Sequence, residues 1–328
     1  MLVLRGLQGS TMPGLLASSS QPRMAGIRAL STVTLPIYQL DAFAANLFGG
    51  NPAAVVPLDK WLPDETMMQI AAENNLSETA FYVPSAEDGA DYHLRWFTPT
   101  LEVDCCGHAT LATAALIMGK LEPQRQSVAF ETKSGKLVVN RAAKAAAGAG
   151  SAAAPGAALP QLTLDFPPWP VGAELEAPPA DLVAALNGPK APTRAFPIEP
   201  LHGAPYFLFL YECASDIAAL EPSHGMMEAN VVATAPGPAT EGAEDKVDFV
   251  SRWFGPLSGI PEDPATGSAH MTLAPFWAER LGKRVMEAQQ LSQRGARLRV
   301  EVDDEVGRVL ISGESRLYME GKVHVPVA

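Results

Sequence analysis

The feature that most constrains the fold is an internal echo. RWFTP at residues 95–99 returns as RWFGP at residues 252–256, and each copy is followed by a turn and a helical stretch rich in small residues. Those stretches open with CGHAT (residues 106–110) and TGSAH (residues 266–270). Gly107 precedes Gly135 by 28 residues, and Gly267 precedes Gly295 by the same interval. A weaker echo links GNPAAVV at residues 50–56 to GAPYFLF at residues 203–209. Matched spacings of this kind mark repeated structural units. They divide the chain into an N-terminal lobe over residues 34–141 and a C-terminal lobe over residues 161–328.

Between the lobes, residues 142–160 are almost entirely Ala, Gly and Pro, which reads as a flexible inserted loop. Residues 1–40 contain Arg5, Arg23 and Arg28 but no Asp, Glu or Lys. That is the composition of a transit peptide, or of a tail preceding a true start at Met24. Residues 1–33 are therefore set aside. The location they leave open is the cytoplasm, or a mitochondrion or plastid if the leader is a targeting signal.

Within each lobe, short β-rich runs such as YHLRWF and KLVVN surround a stretch apolar on nearly all sides, from His108 to Met118 in the first lobe. A helix with no polar face has to be buried all round. The expected class is α+β, with a sheet rolled around a central helix in each of two pseudo-symmetric lobes. Gly119 and Gly282 are predicted to end the two helices, and Pro275 to kink or break the second. Arg95 and Arg252 read as strand-edge charges in alternating patterns.

Composition excludes several functions. A net charge of -12 argues against a nucleic-acid surface, and no apolar run is long enough for a membrane span. Three cysteines, Cys105, Cys106 and Cys213, make no disulfide framework, and adjacent Cys105 and Cys106 lack the spacing of a structural zinc site.

Glycines at a helix start allow a ligand to approach the backbone N–H groups, which together bind anions. Gly107 and His108 in one lobe, and Gly267 and Ser268 in the other, are placed to hold a carboxylate between the lobes. Asp263, directly before Pro264, reads either as an N-cap or as a pocket carboxylate. Glu78, between Ser77 and Thr79, has no acidic counterpart in ANVVATAP of the second lobe. An asymmetric carboxylate on a symmetric scaffold is a candidate single base. His93, His202, His224, His270 and His324 read as structural.

These residues carry a family resemblance. DAFAANLFGGNPAAVV (residues 41–56), LSETAF (76–81), FTPTLEVDCCGHATLA (97–112), GIPEDPATGSAHMTLAPFWAERLG (259–282) and LSQRGARLRV (291–300) resemble, in order, the PhzF-like isomerases of phenazine biosynthesis. The resemblance implies the diaminopimelate-epimerase-like fold, a homodimer, and catalysis with no metal or organic cofactor. It implies that the family's acid/base glutamate falls on Glu78 and its pocket residues on His108, Asp263, Gly267 and Ser268. Taken with the helix starts, the expected catalytic residues are Glu78, Asp263 and His108, and the expected substrate-binding residues are Gly107, Gly267, Ser268, Cys106 and Thr266. For the phenazine branch it names a dihydro-hydroxyanthranilate as substrate.

Related epimerases use one cysteine from each helix start. Here Cys106 is matched by Thr266, which disfavours that chemistry. The expected activity is an isomerase shifting a proton within a small unsaturated carboxylate or amino-acid-like substrate through Glu78. The alternatives are a non-catalytic binding or regulatory module of the same fold and, less favoured, a cysteine-dependent epimerase or racemase.

Overall fold

The computed structural model describes residues 31–142, 156, 158–201, 203–238 and 246–327. The first half contains β1 (Ser31–Ala42), β2 (Asn51–Pro57), α1 (Asp64–Asn74), β3 (Glu78–Pro84), β4 (Tyr92–Phe97), β5 (Glu102–Val103), α2 (Gly107–Leu116), β6 (Ser127–Thr132), β7 (Gly135–Arg141) and β8 (Leu162–Phe166). The second contains α3 (Ala180–Leu186), β9 (Arg194–Leu201), β10 (Ala204–Leu210), α4 (Ala214–Ala218), β11 (Asn230–Pro236), β12 (Phe249–Gly255), β13 (Ile260–Asp263), α5 (Gly267–Leu281), β14 (Val285–Gln290), β15 (Ala296–Asp303), β16 (Arg308–Gly313) and β17 (Ser315–Val327). Few helices and one extensively paired mixed sheet make this an α+β protein.

The same succession of pairings occurs twice. β2 runs parallel to β3, β3 antiparallel to β4, and β4 parallel to β6. β10, β11, β12 and β14 repeat that order. The registers also correspond, since Ala53 stands opposite Glu78 and Tyr206 opposite Asn230. Asn230 therefore occupies in β11 the place Glu78 occupies in β3. Gly135 and Gly295 both have positive φ, at +89° and +66°, where the chain enters β7 and β15. A side chain there would be strained, which explains why both turns use glycine.

β8 and β16 pair antiparallel with each other, joining the two halves. Beyond that seam the chain crosses over. β17 returns to pair with β1 along most of its length, and Val171 bridges to Ile198 of β9. The C-terminal strand thus pairs with the first strand of the chain.

α2 is buried at every residue, as its apolar circumference requires, and it packs against β1, β2, β3, β8 and β17. Gly119 does not end it. The chain continues as a π-helical turn over Ile117–Leu121. A Cβ at Gly119 would stand 2.8 Å from the Leu159 side chain, so this glycine is a notch for a residue from the inter-lobe segment. Leu159 is buried and its N–H donates to Ser315. The end of the predicted loop is therefore docked, while residues 143–155 and 157 lie outside the described residues, as do residues 1–30 and His202. β1 begins at Ser31, inside the segment set aside as a leader.

Gly282 does cap α5 in the left-handed conformation. Pro275 does not break that helix, which runs unbroken through it. Proline removes the N–H that would bond the carbonyl of Met271. The Trp169 N–H takes that acceptor at 3.0 Å, so the lost helical bond becomes a tertiary one.

Arg95 and Arg252 are also not edge charges. Arg95 grips Glu102 through two bonds of 2.7 and 2.8 Å, and Arg252 grips Glu262 with the same two distances. Arg252 is buried and also donates to the carbonyls of Ile217 and Leu220. The alternating pattern hid both pairs because the partner glutamates lie on other elements.

Candidate active site

All eight singled-out residues, Glu78, Cys106, Gly107, His108, Asp263, Thr266, Gly267 and Ser268, line one cavity of about 80 Å³. The two glycines bring its walls together. A Cβ added at Gly107 would lie 3.4 Å from the Cα of Gly267, and the converse distance is the same. The N-termini of α2 and α5 thus converge on a single point.

Neither helix has a side-chain cap or an acidic residue in its first turn. By contrast, α1 carries Asp64 and Glu65 there, and α3 carries Asp181. The first N–H groups of a helix have no partner within it, and the helix dipole concentrates partial positive charge at the same end. Two such ends facing one cavity make a site for a negatively charged group.

Glu78 begins β3 and is buried. Its Oε2 lies 3.1 Å from His108 Nε2, but the two atoms are not aligned for hydrogen bonding and neither has another partner among the described residues. The carboxylate and the ring thus touch while keeping bonding capacity free. Burial alone would lower the pKa of His108, yet the charge and contact of Glu78, with Asp263 behind it, bring the net shift upward.

Asp263 ends β13, fully enclosed, and burial raises its pKa to about 6 against the opposing influence of His108. Its Oδ2 accepts from Thr266 Oγ1 at 2.6 Å and its Oδ1 from Asn51 Nδ2 at 2.6 Å. Both bonds favour the ionised form.

Two organising residues escaped the sequence reading. The Asn51 amide nitrogen faces three acceptors: Asp263 Oδ1, His108 Nδ1 at 3.1 Å and the Ala265 carbonyl at 3.2 Å. Nδ1 of His108 therefore accepts, leaving the ring proton on Nε2, beside Glu78. Asn51 belongs to β2 of the first half and Asp263 to the second, so this one side chain ties the halves together. A signal was present in the mismatch between GNP and its echo GAP. Gln290 is the other: its amide oxygen accepts from the Thr266 N–H at 2.8 Å, and its amide nitrogen donates to the Asp263 carbonyl at 2.6 Å. Nothing local in sequence marks it.

Cys106 Sγ lies 3.5 Å from His108 Nδ1. Burial, then the charge of Glu78, pushes its thiol pKa well above the ordinary range. Glu78, Cys106 and His108 nonetheless present oxygen, sulfur and nitrogen donors within 4.8 Å of one another. The spacing argument from Cys105 and Cys106 could not foresee that cluster. Metal ligation by cysteine requires the thiolate, which this environment disfavours.

His270 behaves as structural. Its Nδ1 bonds the Thr266 carbonyl at 2.8 Å, and burial lowers its pKa to about 4. Thr110 makes the equivalent bond to the Cys106 carbonyl in α2.

A mixed sheet packed on two helices whose N-termini meet at a cleft defines the class of diaminopimelate-epimerase-like proteins. A hydroxyproline epimerase of Agrobacterium vitis shares this fold with a TM-score of 0.52 at 11% identity, over 89% of this chain and 92% of its own. The family is narrower. The model of the PhzC-PhzF family, phenazine biosynthesis-like protein, matches residues 40–321, and the chain belongs to that family. An uncharacterized isomerase of Pseudomonas aeruginosa is 45% identical over 89% of this chain and 99% of its own. The human phenazine biosynthesis-like domain-containing protein is 33% identical, covering 88% and 98%. A crystal structure of an Enterococcus faecalis PhzF family protein superposes with a TM-score of 0.72 at 36% identity, covering 89% and 99%. Among the described residues, no helix is long and apolar enough to cross a membrane.

Proposed function

We propose that this protein is an isomerase that moves a proton within a small unsaturated carboxylate or amino-acid-like substrate, with Glu78 as its one acid/base. The observation that carries this reading is an asymmetry of register. Glu78 stands at the cavity wall on β3, whereas the corresponding position on β11 is Asn230, which has no acid to offer. We take the two lobes to be copies of one ancestral unit, so the single carboxylate is a departure from symmetry.

The substrate carboxylate is held by the N–H groups at Gly107 and His108 and at Gly267 and Ser268. Cys106 and Thr266 shape the wall beside it. Glu78 then removes an acidic C–H proton, and the His108 Nε2–H beside it stabilises charge while the proton is in transit. The same carboxyl group returns the proton elsewhere along the conjugated system. Asn51, itself bonded to Asp263, donates to His108 Nδ1 and holds the imidazole in the tautomer this requires, while Asp263, bonded by Asn51 and Thr266, buffers charge at the site.

A two-thiol epimerase is disfavoured because Thr266 holds at the start of α5 the N-cap position that Cys106 holds at α2, and burial raises the pKa of the thiol. A non-catalytic binding module would not need a carboxylate with unspent hydrogen-bonding capacity against an imidazole. No metal or organic cofactor is assigned to the chemistry. The homodimer implied by the family is part of the proposal, checked by light scattering.

The test is exchange in D2O with a panel of unsaturated carboxylates, including the dihydro-hydroxyanthranilate, followed by NMR. Double-bond migration that survives chelator and Cys106→Ser but vanishes in Glu78→Gln supports the reading. Dependence on Cys106 or on added metal overturns it.

A further inference from the structure

A second pocket of about 440 Å³ adjoins the reaction cavity and shares two residues with it, Cys105 and Ser268. We propose that it receives a planar, ring-sized, uncharged or cationic substituent of the substrate whose carboxylate sits in the smaller cavity. This deepens the proposed function and rests on it.

Size is the first argument. An apolar cavity of roughly 150 Å³ is what a benzene ring occupies. The reaction cavity, at about 80 Å³, is near half that. It has room for a carboxylate and the carbons next to it, but a ring attached to them has to extend elsewhere. The pocket on the other side of Cys105 and Ser268 is the neighbouring space large enough to take it.

The lining gives the chemistry. Leu137, Phe166, Trp169 and Met271 make an apolar surface suited to a flat hydrocarbon. Asp104 and Glu199 also line the pocket, with Lys133 3.6 Å from Asp104. An acidic margin of this kind disfavours a second carboxylate on the tail.

The walls are also fixed in place. Trp169 is tied to α5 by its N–H bond to the Met271 carbonyl. Across from it, Ser134 Oγ donates to the Asp104 carbonyl at 2.5 Å, anchoring the β6–β7 turn beside the pocket. The pocket thus draws on both halves of the chain, as the reaction cavity does. A pocket whose shape depends on the same lobe contacts as the chemistry is suited to reading the same molecule.

The experiment compares crotonate with cinnamate, two unsaturated acids in which a methyl group is exchanged for a phenyl ring, by isothermal titration calorimetry on the full chain. The wild type is expected to bind cinnamate at least about ten-fold more tightly than crotonate, and 4-carboxycinnamate more weakly than cinnamate. Leu137→Trp, which fills the pocket, should erase the advantage of cinnamate while leaving crotonate unchanged. Because Leu137 is buried, Ser134→Trp on the exposed turn serves as a second variant with the same expected result, and circular dichroism checks both folds. Equal affinities in the wild type, or a cinnamate advantage that persists in both filled variants, would overturn the proposal while leaving the carboxylate reading standing. Binding of neither acid by folded wild type would instead overturn the carboxylate reading of the reaction cavity, and this proposal with it.

Discussion

Replacing Asn51 by alanine tests the site most directly, because the fold supplies its own control. Asn51 stands two residues before Ala53 on β2, and the corresponding residue on β10, two before Tyr206, is Ala204. Alanine is therefore compatible with this backbone, and the effect of Asn51→Ala should come from the lost amide. The two N–H groups of that amide are shared among a buried carboxylate, an imidazole nitrogen and a carbonyl. A hydrogen bond to a charged group contributes about 1.5–3 kcal/mol, and leaving neutral acceptors unsatisfied costs about 1–3 kcal/mol more. The expected destabilisation is about 3–5 kcal/mol, measured by urea unfolding. A second effect has a definite sign. Asn51 is one of the groups that lower the pKa of Asp263, so removing it should move that group further above 6. The acid limb of the pH–rate profile should shift to higher pH in the variant. A stability loss under about 1 kcal/mol together with an unmoved acid limb would refute the argument that Asn51 organises this cluster.

Four further outcomes are expected. Glu78→Gln should lower kcat by about 10²–10⁴-fold in the NMR assay while retaining carboxylate binding by calorimetry, and Cys106→Ser should lose less than about ten-fold. Since folding raises the pKa of Asp263 from 3.8 to about 6, its contribution to stability is fully present below 3.8 and is lost as pH rises through 6. That is about 3 kcal/mol, read as the difference between wild type and Asp263→Asn in unfolding free energy at pH 3 and pH 7. Gly267→Ala places a Cβ in ordinary contact with Gly107, so thermal unfolding should change by less than about 1 kcal/mol while carboxylate affinity, measured by calorimetry, falls by at least about ten-fold. Arg252→Ala leaves Glu262 and two carbonyls without their donor and should destabilise by about 3–5 kcal/mol in the same unfolding assay.

Much of the architecture was legible because the chain presents comparable segments twice. The all-apolar circumference of α2 required burial, and the paired helix starts anticipated the meeting of Gly107 and Gly267. Glu78 stood out because its counterpart carries no acid. What failed depended on partners distant in sequence. Gly119 has the local appearance of a helix stop, but Leu159 gives it a packing role that no neighbouring residue reveals. Pro275 follows the local rule for a helix breaker, and only the Trp169 N–H makes it tolerable. Arg95 and Arg252 fit the alternation of a strand, while Glu102 and Glu262 reach them from separate elements. Asn51 and Gln290 were missed because a single amide has no pattern; its value lies in which acceptors surround it after folding.

On the proposed function, the meeting of two helix ends across a pair of glycines makes the substrate carboxylate a structural component. Each end carries about half an elementary positive charge, and α2 and α5 direct theirs at one point with no side-chain cap on either. A bound acid is therefore the shared cap that the polypeptide omits, a keystone whose removal leaves two like poles facing each other. A ligand at a hundred times its Kd adds about 2.7 kcal/mol to stability, so melting temperature should track the supply of substrate.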